Sequence, residues 1–128
     1  MILDTSALVA VLFEEPGFQE LERKMLGASV IAIGAPTLVE TEMVAVRKYG
    51  EAAHLTIARL RESMDIAVIS FGQSHWETAA GAFIRFGKGR HPAALNYGDC
   101  MTYATARIAD RPLLFIGNDF AQTDIEAA

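Results

Sequence analysis

One cysteine, one tryptophan and four prolines are all the sequence holds of those residues, and no apolar run approaches the roughly 20 residues needed to cross a bilayer. Cys100 alone cannot close an internal disulfide, which excludes the small disulfide-framed secreted scaffolds. Neither Cys100 nor the three histidines, His54, His75 and His91, fall at zinc-ligand spacing, so a zinc centre is not expected. The opening MILDTSALVAVLFEEPG has no basic n-region, and an acid interrupts its apolar stretch, unlike a secretory signal. The expectation is a cytoplasmic protein without membrane association. Basic residues are also scarce: 11 Lys and Arg face 16 Asp and Glu, a net charge of −5. That balance argues against nucleic acid held by bulk charge, because phosphate binders are usually basic. It does not exclude a nuclease whose acids are gathered as metal ligands.

What is present is ample apolar content, 52% of 128 residues, enough for one core and one domain spanning residues 1–128. Short apolar runs alternate with longer segments of helical period. Strands are expected at Met1–Asp4, Ser29–Ile33, Ile66–Ser70 and Leu113–Ile116. Helices are expected at Thr5–Phe13, Phe18–Leu26, Pro36–Tyr49, Glu51–Glu62, Ser74–Phe86 and Tyr97–Ala109, and the tail after Phe120 has room for one more element. Pro16-Gly17 breaks the first helical run, Pro36 suits a first helical turn, and Gly50 suits a helix end. Strands alternating with helices predict βαβ units, hence an α/β fold with a parallel sheet of four or five strands covered on both faces.

Ligands of such sheets gather beyond the carboxyl ends of the strands, near the point where strand order reverses. Asp4 ends the first strand, Glu40 lies early in the helix after the second, Asp99 opens the helix before the fourth, and Asp119 follows the fourth. Each has a plainer reading: Asp4, Asp99 and Asp119 suit helix N-caps, and Glu40 suits a solvated helix face. Their joint appearance after successive junctions points to convergence. Two carboxylates about 4 Å apart repel by roughly 4 kcal/mol at an effective dielectric near 20, so a converged set needs a cation or protons. All-oxygen donors select Mg²⁺ or Mn²⁺.

These segments resemble the PIN-domain family. The resemblance rests on Ile2-Leu3-Asp4-Thr5-Ser6, on Ala35-Pro36-Thr37-Leu38-Val39-Glu40, on Asn96-Tyr97-Gly98-Asp99-Cys100, and on Gly117-Asn118-Asp119-Phe120, ordered along nearly the whole chain. The run Phe86-Gly87-Lys88-Gly89-Arg90-His91-Pro92 and the bare single domain are similar to the VapC-type toxins of VapBC toxin–antitoxin pairs. The resemblance implies a three-layer α/β/α PIN-like fold and metal-dependent hydrolysis of RNA phosphodiester bonds, inhibiting translation and growth. It implies Asp4, Asp99 and Asp119 as ligands of Mg²⁺ or Mn²⁺, with Glu40 ligating directly or through water, or taking the nucleophile's proton. One departure stands out: relatives often carry a second acid beside the fourth, and here that residue is Asn118, which brings a carbonyl without charge. Asp124 is an assisting acid or a plain surface one.

Thr5 and Ser6 either contact the scissile phosphate or cap the first helix. Arg85, Lys88, Arg90 and His91 crowd one segment, and Gly87 and Gly89 there would let backbone approach a phosphate; a solvated loop would look similar. Arg47 and Lys48 are weaker candidates for the RNA track. Exposed Tyr97 could stack on a base, whereas Trp76 and the phenylalanines fall on apolar helix faces and read as core. The first two helices carry more apolar surface than a small sheet absorbs. In the family such surfaces hold a cognate VapB-type antitoxin and pair toxins, implying a homodimer or a heterotetramer or octamer with antitoxin. An antitoxin arginine reaching the acids would follow.

Two enzymatic rivals fit poorly. A phosphoacceptor receiver domain needs Asp at the end of the third strand, where Ile69-Ser70-Phe71-Gly72 stands, and a haloacid-dehalogenase-type phosphatase needs Asp-x-Asp where Asp4-Thr5-Ser6 stands. The remaining alternative is a PIN fold that binds RNA or antitoxin with little or no turnover, favoured only by Asn118.

Overall fold

The computed structural model describes the whole chain, Met1–Ala128. Four strands, β1 (Ile2–Leu3), β2 (Ala32–Gly34), β3 (Ala67–Ile69) and β4 (Leu113–Leu114), form one parallel sheet in the order β3-β2-β1-β4. Six helices surround it: α1 (Thr5–Leu12), α2 (Phe18–Leu26), α3 (Ala35–Tyr49), α4 (Ala52–Ser63), α5 (Gln73–Phe86) and α6 (Tyr97–Ala109). The α/β expectation holds in class, order and number of elements. Beyond β4, Leu113 N donates to Glu126 O and Ala128 N donates to Leu113 O, so the tail adds a single bridge rather than a fifth strand.

The period of two along a strand divides the core into two layers. Ile2, Ala32 and Leu113 point to one face, where they meet Ala79, Phe86, Tyr103 and Ala104 of α5 and α6. Their neighbours Leu3, Ile33 and Leu114 point to the other, where Leu8, Val11, Leu21 and Met25 of α1 and α2 pack. The register explains this sorting: Ile2 lies opposite Ala32 and Leu113, and Leu3 opposite Ile33 and Leu114. The result is a three-layer α/β/α sandwich.

Two expectations change. The second strand begins at Ala32, not Ser29, because Ser29 and Val30 are exposed and the Val30 carbonyl accepts from the Met1 ammonium at 2.6 Å below the sheet. In the first two helices Ala7 to Val11, Leu21 and Met25 are buried in the core, while Leu26 at the end of α2 is 72% exposed and lines an apolar groove with Val30 and Met64. Further exposed apolar side chains lie on α3, α5 and α6, including Val39, Met43, Trp76 and Phe83. Trp76, read as core, is 58% exposed. No helix is long and apolar enough to cross a membrane.

Candidate active site

Strand order reverses between β1 and β4, and the crevice beyond their carboxyl ends is where this sheet type takes ligands. Asp4 follows β1 directly, its backbone N–H donating to Leu114 O at 3.0 Å, so the carboxylate stands at the mouth of that crevice. It is almost fully buried, at 6% exposure. Its Oδ2 accepts from Ser6 N at 3.0 Å and from Ser6 Oγ at 2.5 Å, the geometry of a helix N-cap. Ser6 Oγ also accepts from Ile116 N at 3.0 Å, which ties Asp4 to the chain leaving β4 towards Asp119. The capping reading of Asp4 and Ser6 is thus correct, and it leaves Oδ1 without a partner among the protein's hydrogen bonds.

Glu40 reaches the same rim from α3. Thr5 Oγ1 donates to Glu40 Oε2 at 2.7 Å, joining the starts of α1 and α3. On its other side the Glu40 carboxylate lies against Gly98, occupying the volume a Cβ there would need. Below it, Thr37 and Thr102 share a buried hydroxyl–hydroxyl bond of 2.9 Å that locks α3 to α6.

Asp99 sits in the first turn of α6 as the third helical residue, not as the N-cap. Asn96 is the cap: its Oδ1 accepts from Asp99 N at 2.9 Å, and Asp99 Oδ2 accepts from Asn96 N at 2.8 Å. This reciprocal capping box fixes one oxygen of Asp99 and leaves the other. Burial pushes Asp99 up to about 6; the Asn96 hydrogen bond opposes the rise, and the charges of Asp4, Asp119 and Glu40 add to it. One carboxyl therefore feels all three of the others. Asp119 is exposed and, at the head of the short 3-10 turn Phe120–Gln122, makes no side-chain cap, so its carboxylate is uncommitted.

None of the four acids takes part in an ion pair, and no basic side chain is among the charges acting on Asp99. The arrangement is an open cluster: as the side chains stand, no three carboxylate, imidazole or thiol groups close into a finished cage. Its donor chemistry is that of a hard divalent cation, with carboxylate oxygens only and like charges left uncompensated. Cys100 next door is buried and its thiol is pushed up to about 11, first by burial and then by Asp99, so it offers neither a thiolate ligand nor a nucleophile.

Other sequence candidates fall outside this cluster. Asn118 is exposed, with its backbone carbonyl accepting from Gln122 at 3.5 Å. Lys88 and Arg90 are exposed on the segment before α6, and Arg90 Nε donates to Ile84 O at 3.1 Å. Gly87 serves packing rather than phosphate approach, since a Cβ there would collide with Phe83; Gly89, at φ +82°, serves a turn. Arg85 and Asp124 form an ion pair at 3.1 Å, and Tyr103 Oη donates to Asp124 at 2.7 Å, so Asp124 does not assist the acids. Lys48 is engaged by Glu15 at 2.8 Å. Asn96 and Gly98 belong to the segment that carries the family resemblance, but their parts in positioning Asp99 and Glu40 follow from neither type nor spacing.

Comparison with known proteins places this geometry. Residues 1–126 match the PIN domain family. The chain is 46% identical over 127 residues to ribonuclease VapC36 of Mycobacterium tuberculosis, covering 98% of this chain and 91% of that one. It is 37% identical over 127 residues to ribonuclease VapC of Mycolicibacterium smegmatis, covering 99% and 98%. Among solved structures, Mycobacterium tuberculosis VapC20, described as a sarcin-ricin loop cleaving toxin, superposes with a TM-score of 0.81 at 18% identity over 99% of this chain and 97% of that one. A chain of a toxin–antitoxin complex from Klebsiella pneumoniae superposes with a TM-score of 0.69 at 22% identity over 96% and 92%. These two likenesses speak to the fold.

Proposed function

The chain belongs to the PIN-domain family, and from that premise we propose that it is an endoribonuclease of the VapC type, the toxin of a toxin–antitoxin pair, dependent on Mg²⁺ or Mn²⁺. The observation that carries the chemistry is the convergence of Asp4, Glu40 and Asp119 on Asp99 with no basic partner. The relatives, named as ribonucleases, supply the substrate class.

Asp4 and Asp99, through the oxygens their capping bonds leave spare, and Asp119, through its uncommitted carboxylate, would hold the cation, with Glu40 as a fourth ligand or acting through water. A bound divalent ion supplies Lewis acidity towards the phosphoryl oxygens and a water of lowered pKa. The protein's own part is positional. Ser6 fixes Asp4, Asn96 fixes Asp99, and Thr5 together with Gly98 fixes Glu40. Glu40, with Oε2 held by Thr5, keeps Oε1 to accept a proton from the attacking water. That water adds to phosphorus in line, and the bond from phosphorus to the leaving 3′ oxygen breaks. Lys88 and Arg90 offer phosphate contacts on the segment leading to α6, outside the acid cluster. Asn118 contributes a neutral carbonyl at the rim. The natural partner of such a toxin is a VapB-type antitoxin.

The test is incubation of the purified, antitoxin-free chain with total cellular RNA, in Mg²⁺ or Mn²⁺ and in EDTA, beside Asp99→Ala. Discrete metal-dependent fragments that vanish in the variant are expected. No metal-dependent fragments from folded protein across several RNA pools would overturn the proposal and leave a binding-only PIN domain.

A further inference from the structure

We propose that Tyr103 and Asp124 form a latch that positions Asp119, holding the tail against α6 one turn away from the acids and so setting how Asp119 stands to Asp99. This rests on the metal-ligand reading of Asp99 and Asp119 above. Asp119 is exposed and makes no cap of its own, so its place depends on what holds the chain on either side of it. Before it, Ile116 N donates to Ser6 Oγ at 3.0 Å, but Gly117 and Asn118 in between are exposed, and Gly117 turns at φ +108°. The firmer hold comes after it. Phe120 is 3% exposed and packs edge-on against the Phe115 ring at 5.3 Å. Thr123 closes the turn, its N–H and hydroxyl donating to Phe120 O at 3.0 and 2.7 Å.

Asp124 follows at once, and it gives the cluster no ligand because both its oxygens are engaged. Oδ1 accepts from Tyr103 Oη at 2.7 Å and Oδ2 from Arg85 Nη2 at 3.1 Å. The two bonds differ in weight. The Arg85 side chain is more than half exposed, and surface ion pairs contribute little. Tyr103 is 2% exposed, and Asp124 is the only hydrogen-bond partner of its hydroxyl, so this charge-assisted bond is the stronger constraint. Residues four apart on a helix share a face, so Tyr103 stands one turn beyond Asp99 on the same side of α6. Asp119 in turn lies close enough for its charge to act on Asp99. The tail therefore meets α6 at two neighbouring levels, carboxylate to carboxylate at one and Asp124 to Tyr103 at the next. The first contact is repulsive without a cation, and the second keeps the tail from swinging away on Phe120.

The intact chain is titrated with Mn²⁺ at about pH 8, where Asp99, raised to about 6, is ionised, and free Mn²⁺ is read from its electron spin resonance signal. Each variant is titrated well below its own melting temperature. Tyr103→Phe deletes the donor and keeps ring, shape and charge. It is expected to bind Mn²⁺ about tenfold more weakly than wild type, the lower end of what groups orienting metal ligands contribute. Asp124→Ala should lose at least as much, and the double variant no more than Asp124→Ala, since both remove one bond. In EDTA, amide exchange at Thr123 should quicken in Tyr103→Phe while Cys100, inside α6, exchanges as in wild type. Unaltered Mn²⁺ affinity in Tyr103→Phe, whether or not its melt falls, would overturn the latch and leave the metal reading standing on the wild type's own binding. A loss confined to Asp124→Ala and fading with added salt would assign the effect to the carboxylate's charge and overturn the latch equally. A wild type that binds no Mn²⁺ would remove both proposals.

Discussion

The carboxylate of Glu40 rests against the bare Cα of Gly98, in the space any side chain at that position would fill. Gly98 is not in the left-handed region, so its backbone tolerates other residues, and alanine in a helix is favoured over glycine by roughly 0.5–1 kcal/mol. The atoms a Cβ would meet belong to the far end of a flexible side chain, which can swing away. Gly98→Ala should therefore leave the melting temperature equal or higher while displacing Glu40 and breaking its bond to Thr5. Misplacement of a catalytic group by an ångström costs on the order of 100-fold, and a loss of about that size in RNA cleavage is expected. Unchanged cleavage in a stable variant would show that the seat on Gly98 does not position Glu40.

Thr5 makes the other half of that seat, through its 2.7 Å bond to Glu40 Oε2. Thr5→Val keeps the shape and deletes the donor. Hydrogen bonds to charged groups contribute about 1.5–3 kcal/mol, and at this half-buried site the lower end applies, roughly tenfold in rate. Thr5→Ser should recover most of the loss, because its hydroxyl can occupy the same place. Equal activity of the valine and serine variants would refute a positioning role.

Much of this site was legible in the sequence because the fold puts chemistry where the chain changes state. Asp4, Glu40 and Asp119 each follow a strand, and the strands could be read from their β-branched and leucine runs. The roles of Gly98 and Asn96 are not legible in the sequence because they are relational: nothing there says that Glu40, 58 positions earlier, leans on Gly98. Trp76 was misread for a similar reason. Helical period shows that α5 has an apolar stripe, but Ala79, Ala82 and Phe86 fill the core contact and leave Trp76 and Phe83 outside. The Arg85–Asp124–Tyr103 cluster joins residues up to 39 apart, which no local pattern announces. Ser29 and Val30 look like strand but fall short of β1, whose first paired residue, Ile2, lies opposite Ala32.

Asp99, raised to about 6, makes the metal-free protein sensitive to acidity. A carboxyl with a raised folded-state value favours the protonated form when folded. Its stabilising effect is full below the unfolded value, near 3.8, fades as pH rises to about 6, and is absent above that. In EDTA the wild type should therefore lose stability over this window relative to Asp99→Asn, which cannot titrate. Divalent metal should bind more tightly as pH rises through about 6, because the proton on Asp99 competes with it. Thermal melts of both proteins across this range, with and without Mn²⁺, check the sign. Parallel profiles in EDTA would mean that Asp99 does not carry the shift.

The hydroxyls of Thr37 and Thr102, 2.9 Å apart and buried, set how α3 and α6 approach each other and so how Glu40 approaches Asp99. Replacing one alone by valine strands the other hydroxyl in an apolar joint, at a cost of about 1–3 kcal/mol. Each hydroxyl is the other's only hydrogen-bond partner, so either single variant strands its survivor. Replacing both removes two polar groups of matched shape and should return stability to within about 1 kcal/mol of wild type, a non-additive cycle. If the joint acts only by holding the two helices at their spacing, cleavage should follow the same course, falling in the single variants and recovering in Thr37→Val/Thr102→Val. Chemical denaturation and cleavage assays on the four proteins give both cycles. Additive stability losses would mean that the two threonines act independently. A double variant as stable as wild type but inactive would mean that the hydroxyls reach the chemistry through more than spacing.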